Sequence, residues 1–508
     1  MHPRFIQRHV LRVRPLAACL AAALALGVST ASIAAPLPYA LPWAGRPTFI
    51  GGQPSSASAI GQRQTASHAA LALDFARRPA AATIVVTNCG DYGSGTLRAA
   101  FGVAVDGDTI DLSALTCSTI SLGDGELYTA VNNLTLNGPA AGTLSIRSSY
   151  GDRVFEHGGS GTLTLKNLTI VGYGENDGFY DGPDPSAGGC IYSAGNVGVY
   201  DSVVTGCNLW PFFDSGKVAR GGAIFARGNV SVKYSTISNN YLRGNNAHAY
   251  GGGVFALGNL NTKYATISGN QVFGACCGVN SGRGGGAVVG GNATLRNTTI
   301  ADNQADITGG IELFGFNSGN ASIINSTISG NTATIVGGIL THAPLTLQNS
   351  TIAFNRSSTR TFYSASYDAG LHIAGVATQL QSSIIANNTV AGVTHDLSKY
   401  GSGADATSGA NCLITASDVV PPAGTIFTDP LLYPLANNGG LTRTHALAVG
   451  SPAINAGNNN GNGGAGYSYD QRGPGFARVI GANADIGAFE KQNALDGDVI
   501  FVNGFDPP

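Results

Sequence analysis

The sequence predicts an all-β solenoid, a parallel β-helix. Three observations carry that reading: a phrase that recurs at a coil-length period, strand-like runs between its copies, and the lack of any long 3.6-residue apolar stripe in residues 160–390. The phrase is Ser-Thr-Ile-x-x-Asn. It reads Ser235-Thr236-Ile237-Ser238-Asn239-Asn240 and returns around Ile267, Ile300, Ile328, Ile352 and Ile385, with degenerate copies around Ile170 and Val204. The Ile column steps by 34, 33, 30, 33, 28, 24 and 33 residues, a period that marks a repeat architecture.

The runs between copies decide which solenoid. Val230–Tyr234, Ala321–Ile324 and Leu345–Gln348 alternate with strand period and end at Gly-Asn or Asn-Ser corners. A propeller would need about 40 or more residues per repeat, so one coil per repeat fits better. Coils stack about 4.8 Å apart, setting Ile over Ile and Asn over Asn. Stacked Asn amides can bond along the column as a ladder, so these asparagines are read as structural.

Composition agrees with tight corners and few long exposed side chains: 73 of 508 residues are Gly and 11% are charged. Met occurs only at position 1, which fits an extracellular life without thioethers to oxidise. Arg4, Arg8, Arg12 and Arg14 precede the apolar run Leu16–Val28, too short to span a bilayer, and Ser32-Ile33-Ala34 offers a cleavage site. Residues 1–34 therefore read as an export signal, and the protein as secreted or held at a bacterial cell surface. Cleavage removes four Arg and no acid, taking the formal net charge from −2 to −6. No basic field remains, which argues against nucleic acid or anionic lipid as the main partner. No membrane span is predicted.

Seven cysteines follow the signal, and in an exported chain they default to disulfides. The expected pairs are Cys89–Cys117 and Cys190–Cys207, each spanning about a coil or less. The odd count leaves a spare thiol or a vicinal link at Cys276-Cys277. The expected organisation is a linker or arm over 35–82 and one β-helix domain over 83–490, with a tail over 491–508. Within the domain, 83–160 forms the start and cap, 161–412 the regular coils and 413–490 an irregular closing region. Thr83–Thr87 reads as first strand and Thr96–Phe101 as a short amphipathic helix that caps the open end of the lumen.

The chain also resembles known secreted proteins at both ends. Cys89–Phe101, followed by Gly107-Asp108-Thr109-Ile110, resembles the CSLREA-type N-terminal cap of bacterial secreted β-helix proteins. Asp429–Leu432, Asn438–His445, Gly450–Ile454, Asp470–Gly473 and Asp485–Glu490 are similar to the choice-of-anchor Q family. The coil motif, Ile-x-x-Asn with Gly-Gly-Ala-Ile, resembles chlamydial polymorphic outer-membrane protein repeats. The resemblance implies a right-handed, pectate-lyase-like β-helix at or outside the cell surface. It implies no activity.

Function is sought where the repeat length varies. A Gly-Gly column recurs at Gly188, Gly221, Gly251, Gly285, Gly309 and Gly337, and the distance from the Asn column to the next Gly-Gly ranges from 6 to 15 residues. Insertions at one corner stack into a ridge, as binding loops on rigid scaffolds do. The ridge is aromatic, with Tyr173, Tyr180, Trp210, Phe213, Tyr241, Tyr250, Tyr363 and Tyr367 as candidate ligand contacts. Aromatic faces beside amides and hydroxyls suit sugar rings, which makes a polysaccharide or cell-surface glycan the expected partner.

The alternative is a lyase or hydrolase of an acidic polysaccharide. Its candidates are Glu312 and His372, which share an outward column with Leu340, and the nearby His342. No cofactor is expected, with calcium entering only for a lyase. His445, Asp470, Arg472, Asp485 and Glu490 are read as ion pairs that hold the irregular closing region.

Overall fold

The computed structural model describes residues 81–492 except 141–142, 149–151, 173–185, 211–215, 277–278, 317–318, 360, 363–364, 367–368, 401–406 and 460–466. The expected signal and tail lie outside the described residues, as does the arm apart from Ala81 and Ala82. The chain is a right-handed parallel β-helix.

The coils visit three sheets in turn, joined by a fourth, sheet 3, from Asn208 onward. Sheet 1 has twelve strands, from Thr83–Val85 to Thr407–Ala410, and sheet 2 eleven, from Thr119–Leu122 to Leu413–Ile414. Sheet 3 has eight short strands, from Asn208–Leu209 to Val393–Thr394, and sheet 4 ten, from Leu127–Thr129 to Leu397–Lys399. The repeat puts like residues in register: Ile237 pairs with Ile267, Ile267 with Ile300, and Ile300 with Ile328. These Ile side chains and the alternate residues of sheets 1 and 4 fill one continuous lumen.

Corners turn where an αL residue breaks each strand. Between sheets 1 and 2 the corner residues Asn167, Asp201, Asn297, Asn325 and Asn349 have φ of 55°, 48°, 50°, 46° and 44°, a region Asn and Asp enter more readily than other side chains. The asparagine ladder follows sheet 2. The Nδ2 groups of Asn240, Asn270, Asn303, Asn331 and Asn355 each donate to the Oδ1 of the next, at 2.7–2.9 Å. Each Oδ1 also accepts the backbone N–H of the preceding Asn. The column ends on Asp396, whose Oδ1 accepts both the N–H and the Nδ2 of Asn388. An acceptor-only carboxylate is the right terminus for a ladder that donates in that direction.

The start is closed as expected. The helix spans Leu97–Val103, with the Thr96 hydroxyl capping Ala99 N–H at 3.2 Å. Its buried Leu97, Ala100 and Phe101 join the lumen core, and Phe101 stacks on Phe155 at 5.8 Å. The Cys89–Cys117 and Cys190–Cys207 disulfides are both present. Among the described residues Cys412 is a free thiol, buried, with burial pushing it up to about 12; the side chains of Cys276 and Cys277, and with them the expected vicinal link, lie outside the described residues.

Two expectations are corrected. The variable segments do not simply leave the helix at the corner, because most begin with a strand of sheet 3, in register from coil to coil. The closing region does more than shut an end: it runs back along the outer face of sheet 2. Thr299 Oγ1 donates to Arg443 O, Thr327 Oγ1 to Gln471 Oε1, and the His445 ring meets Ser329 Oγ at 2.8 Å. Its charged side chains do form buried pairs, with Arg472 on Asp470 at 2.8 Å and Arg478 at 3.4 Å from Glu490.

Candidate functional site

Sheet 3 brings part of the aromatic set together. Alternation points Asn208, Trp210, Tyr241, Arg243, Gln271 and Phe273 outward, while Leu209, Leu242 and Val272 pack inward as a small apolar cluster. Parallel register places Tyr241 beside Gln271 and Arg243 beside Phe273. The Arg243 guanidinium lies 4.8 Å from the Trp210 ring centroid, and the Tyr241 and Phe273 rings are 6.0 Å apart and tilted by 48°. Trp210, Tyr241 and Phe273 are half-buried, and Arg243, Gln271 and Gln304 are exposed. Rings are thus held at fixed tilts by their neighbours beside free amide edges.

The other members of the ridge divide. Tyr173, Tyr180, Phe213, Tyr363 and Tyr367 lie outside the described residues. Tyr250 is not an open platform. It is buried, its ring 6.0 Å from Phe255 and 6.3 Å from Phe314, because the segment before each Gly-Gly folds over the outer face of sheet 4.

The same fold-over buries the candidate catalytic column. Glu312 and His372 do point away from the lumen, with Ile311, Leu313, Leu371 and Ile373 facing in. Yet Glu312 is 0% and His372 1% exposed. Arg283 Nη1 donates to Glu312 Oε1, Thr308 Oγ1 donates to Oε2 at 3.0 Å, and His342 Nε2 stands 3.8 Å from Oε1. Burial alone would push the Glu312 carboxyl up. Arg283, His342 and the Thr308 hydroxyl more than offset it, so the group is held below the usual carboxylate range. His342 stacks on Phe314 at 5.7 Å and keeps about a quarter of its side chain exposed (24%). His372 is held neutral, its pKa down to about 3, mainly by burial and secondarily by His342; its Nδ1 meets Ser398 Oγ at 2.7 Å.

Sequence reasoning missed Arg283, Thr308, Arg243 and the glutamines. A signal for two of them was present: Arg283 and Thr308 immediately precede glycine runs, at the position that folds over sheet 4. Among the described residues no group of three His, Cys, Asp or Glu side chains could hold a metal. The one carboxylate of the Arg283 cluster has both oxygens engaged, so the set does not fit calcium, which takes about six to eight oxygens. Among the described residues no helix is long and apolar enough to cross a membrane.

No family model and no curated protein matches the chain. Among solved structures, a pectate lyase, Pel9A, aligns over 81% of this chain and 98% of its own, at 12% identity and a TM-score of 0.41.

Proposed function

We propose that this protein is an exported β-helix that binds glycans through the outer face of sheet 3. The observation that carries the reading is the pair of ring contacts between neighbouring coils, Trp210 with Arg243 and Tyr241 diagonally with Phe273, flanked by the exposed amides of Gln271 and Gln304. Sugar rings stack on such faces while their hydroxyls take the amide edges. Two disulfides fit an oxidising compartment, and the terminal motifs resemble those of CSLREA-type and choice-of-anchor Q secreted proteins. The test is glycan-array and whole-cell binding by wild type, Trp210→Ala and Tyr241→Ala. Each variant should keep its circular dichroism and melting temperature while losing about 1–3 kcal/mol of binding, the range for a large side chain. Full binding by both variants would remove sheet 3 from the reading.

A second reading, cleavage of an acidic polysaccharide, rests on His342. Its Nε2 is buried without a hydrogen-bond partner beside Glu312 and Arg283. In that reading the His342 imidazole takes the proton from the carbon next to the uronate carboxyl, the electron pair expels the glycosidic oxygen at C4 to leave a C4–C5 double bond, the departing oxygen takes a proton from water, and the partly exposed Arg283 neutralises the carboxylate. Absorbance of unsaturated product from uronic-acid polymers, lost in His342→Ala, decides it.

A further inference from the structure

Sheet 1 carries a feature that glycan binding by sheet 3 does not use. The last outward position of its strands reads, in consecutive register, Lys166, Tyr200, Lys233, Lys263 and Arg296. Four cations therefore stack along the helix axis within five coils, on a chain of net charge −2. Neighbouring coils lie about 4.8 Å apart, and like charges directly opposite in a sheet are destabilising. Among the described residues none of the four makes an ion pair. Beyond Arg296 the column turns neutral at Ile324, Gln348 and Gln381, and there the closing region buries it. The closing region first reaches the stripe at its far end, where the Arg296 guanidinium lies 5.5 Å from the Tyr467 ring; Lys166, Lys263 and Arg296 are exposed and Lys233 is half-buried.

The adjoining corner departs from the pattern in the same coils. Most coils turn on Asn, Asp or Ser, but here the αL residues are Tyr234 (φ 52°) and Tyr264 (φ 49°). A bulky side chain is unfavourable in that region, and such strain concentrates at functional sites. The two rings stack at 5.3 Å, with Lys263 Nζ 5.7 Å from the Tyr264 centroid and Lys233 Nζ 5.6 Å from that of Tyr200. Outward residues of the adjacent sheet 2 strands are small hydroxyls, Thr236 and Ser238, then Thr266 and Ser268.

We propose that this stripe is a second binding face, one that takes a linear uronic-acid polysaccharide lying along the solenoid axis. Its carboxylates, one per sugar, recur on the scale of one coil and meet the cation column, while the exposed Tyr234 hydroxyl and the Thr and Ser of sheet 2 take the sugar hydroxyls. Single-stranded nucleic acid fits less well. It needs open ring faces for its bases, and these rings already stack on one another and on the lysines.

The test is titration calorimetry of the full exported chain with polygalacturonate, alginate, neutral dextran and oligo-dT, at low and high salt. Binding to the two uronate polymers, weakened by salt, and none to dextran is expected. Lys233→Gln/Lys263→Gln should lose about tenfold or more in affinity, and Lys233→Arg/Lys263→Arg should retain it. The Gln variant should melt no lower than wild type, because it relieves repulsion. No uronate binding, equal binding by the Gln variant, or tighter binding of oligo-dT would overturn the proposal. Because it uses other residues, it stands or falls apart from Trp210 and Tyr241.

Discussion

Replacing Asn303 with Leu tests the ladder at its centre. Asn303 is 0% exposed. Its Nδ2 donates to Asn331 Oδ1 at 2.9 Å and to Ile267 O at 3.0 Å, and its Oδ1 accepts Asn270 N–H at 3.0 Å and Asn270 Nδ2 at 2.9 Å. Leucine has a similar shape and makes none of these four bonds. The Asn270 Nδ2 keeps its bond to Ile237 O, and Asn331 Oδ1 keeps the Asn303 backbone N–H. The Asn270 backbone N–H loses the side-chain acceptor it used. Each buried polar group left unpaired costs about 1–3 kcal/mol, and burying an apolar side chain returns part of that, so a net loss of about 2–4 kcal/mol is expected.

The assay is urea unfolding followed by far-ultraviolet circular dichroism, with hydrogen exchange at the Asn270 amide. Coils contact only their neighbours, so the damage should be local in exchange before it is global. Asn303→Asp should also destabilise at neutral pH, because a carboxylate cannot donate to Asn331. That is the opposite of its role at Asp396, where nothing follows. An unchanged midpoint together with a protected Asn270 amide in Asn303→Leu would refute the ladder as a source of stability.

Three further outcomes follow from the same structure. His445 is held neutral, its pKa down to about 4 by burial first, with Tyr433 O opposing and Arg443 assisting. The unfolded chain then binds the proton first, so stability complete above pH 6.5 falls as pH drops toward 4, by about 1.4 kcal/mol per unit; His445→Gln should flatten that part of the stability–pH curve. Cys190→Ser/Cys207→Ser opens a link of sequence separation 17 and should cost about 3 kcal/mol in urea, with wild type falling at least as far under reductant, which opens Cys89–Cys117 as well. Ile300→Ala empties a lumen site that is 0% exposed and should cost about 2–5 kcal/mol, read by thermal melting.

The sequence by itself determined the coil. In a parallel solenoid a residue's neighbour above and below is its own counterpart one repeat away, so self-similarity in the chain is already a contact map. That is why the Ile column and the asparagine ladder were legible, while the N-terminal helix and the two expected disulfides were read from local amphipathicity and cysteine spacing. What the tertiary structure decided is everything that lies against the outside of the coil. The closing region reaches Thr299 and Thr327 across separations of 172 and 144 residues, and no periodicity joins partners that do not repeat. Sheet 3 was hidden because its two- or three-residue strands are too short to show alternation, and in sequence they look like the beginnings of loops. The Glu312 column was visible as outward-facing, but its burial came from Arg283, Thr308 and Tyr250 folding over it. The Lys–Tyr pairs at 233–234 and 263–264 stood 30 residues apart in the text. Only the register with Lys166, Tyr200 and Arg296 made them one stripe.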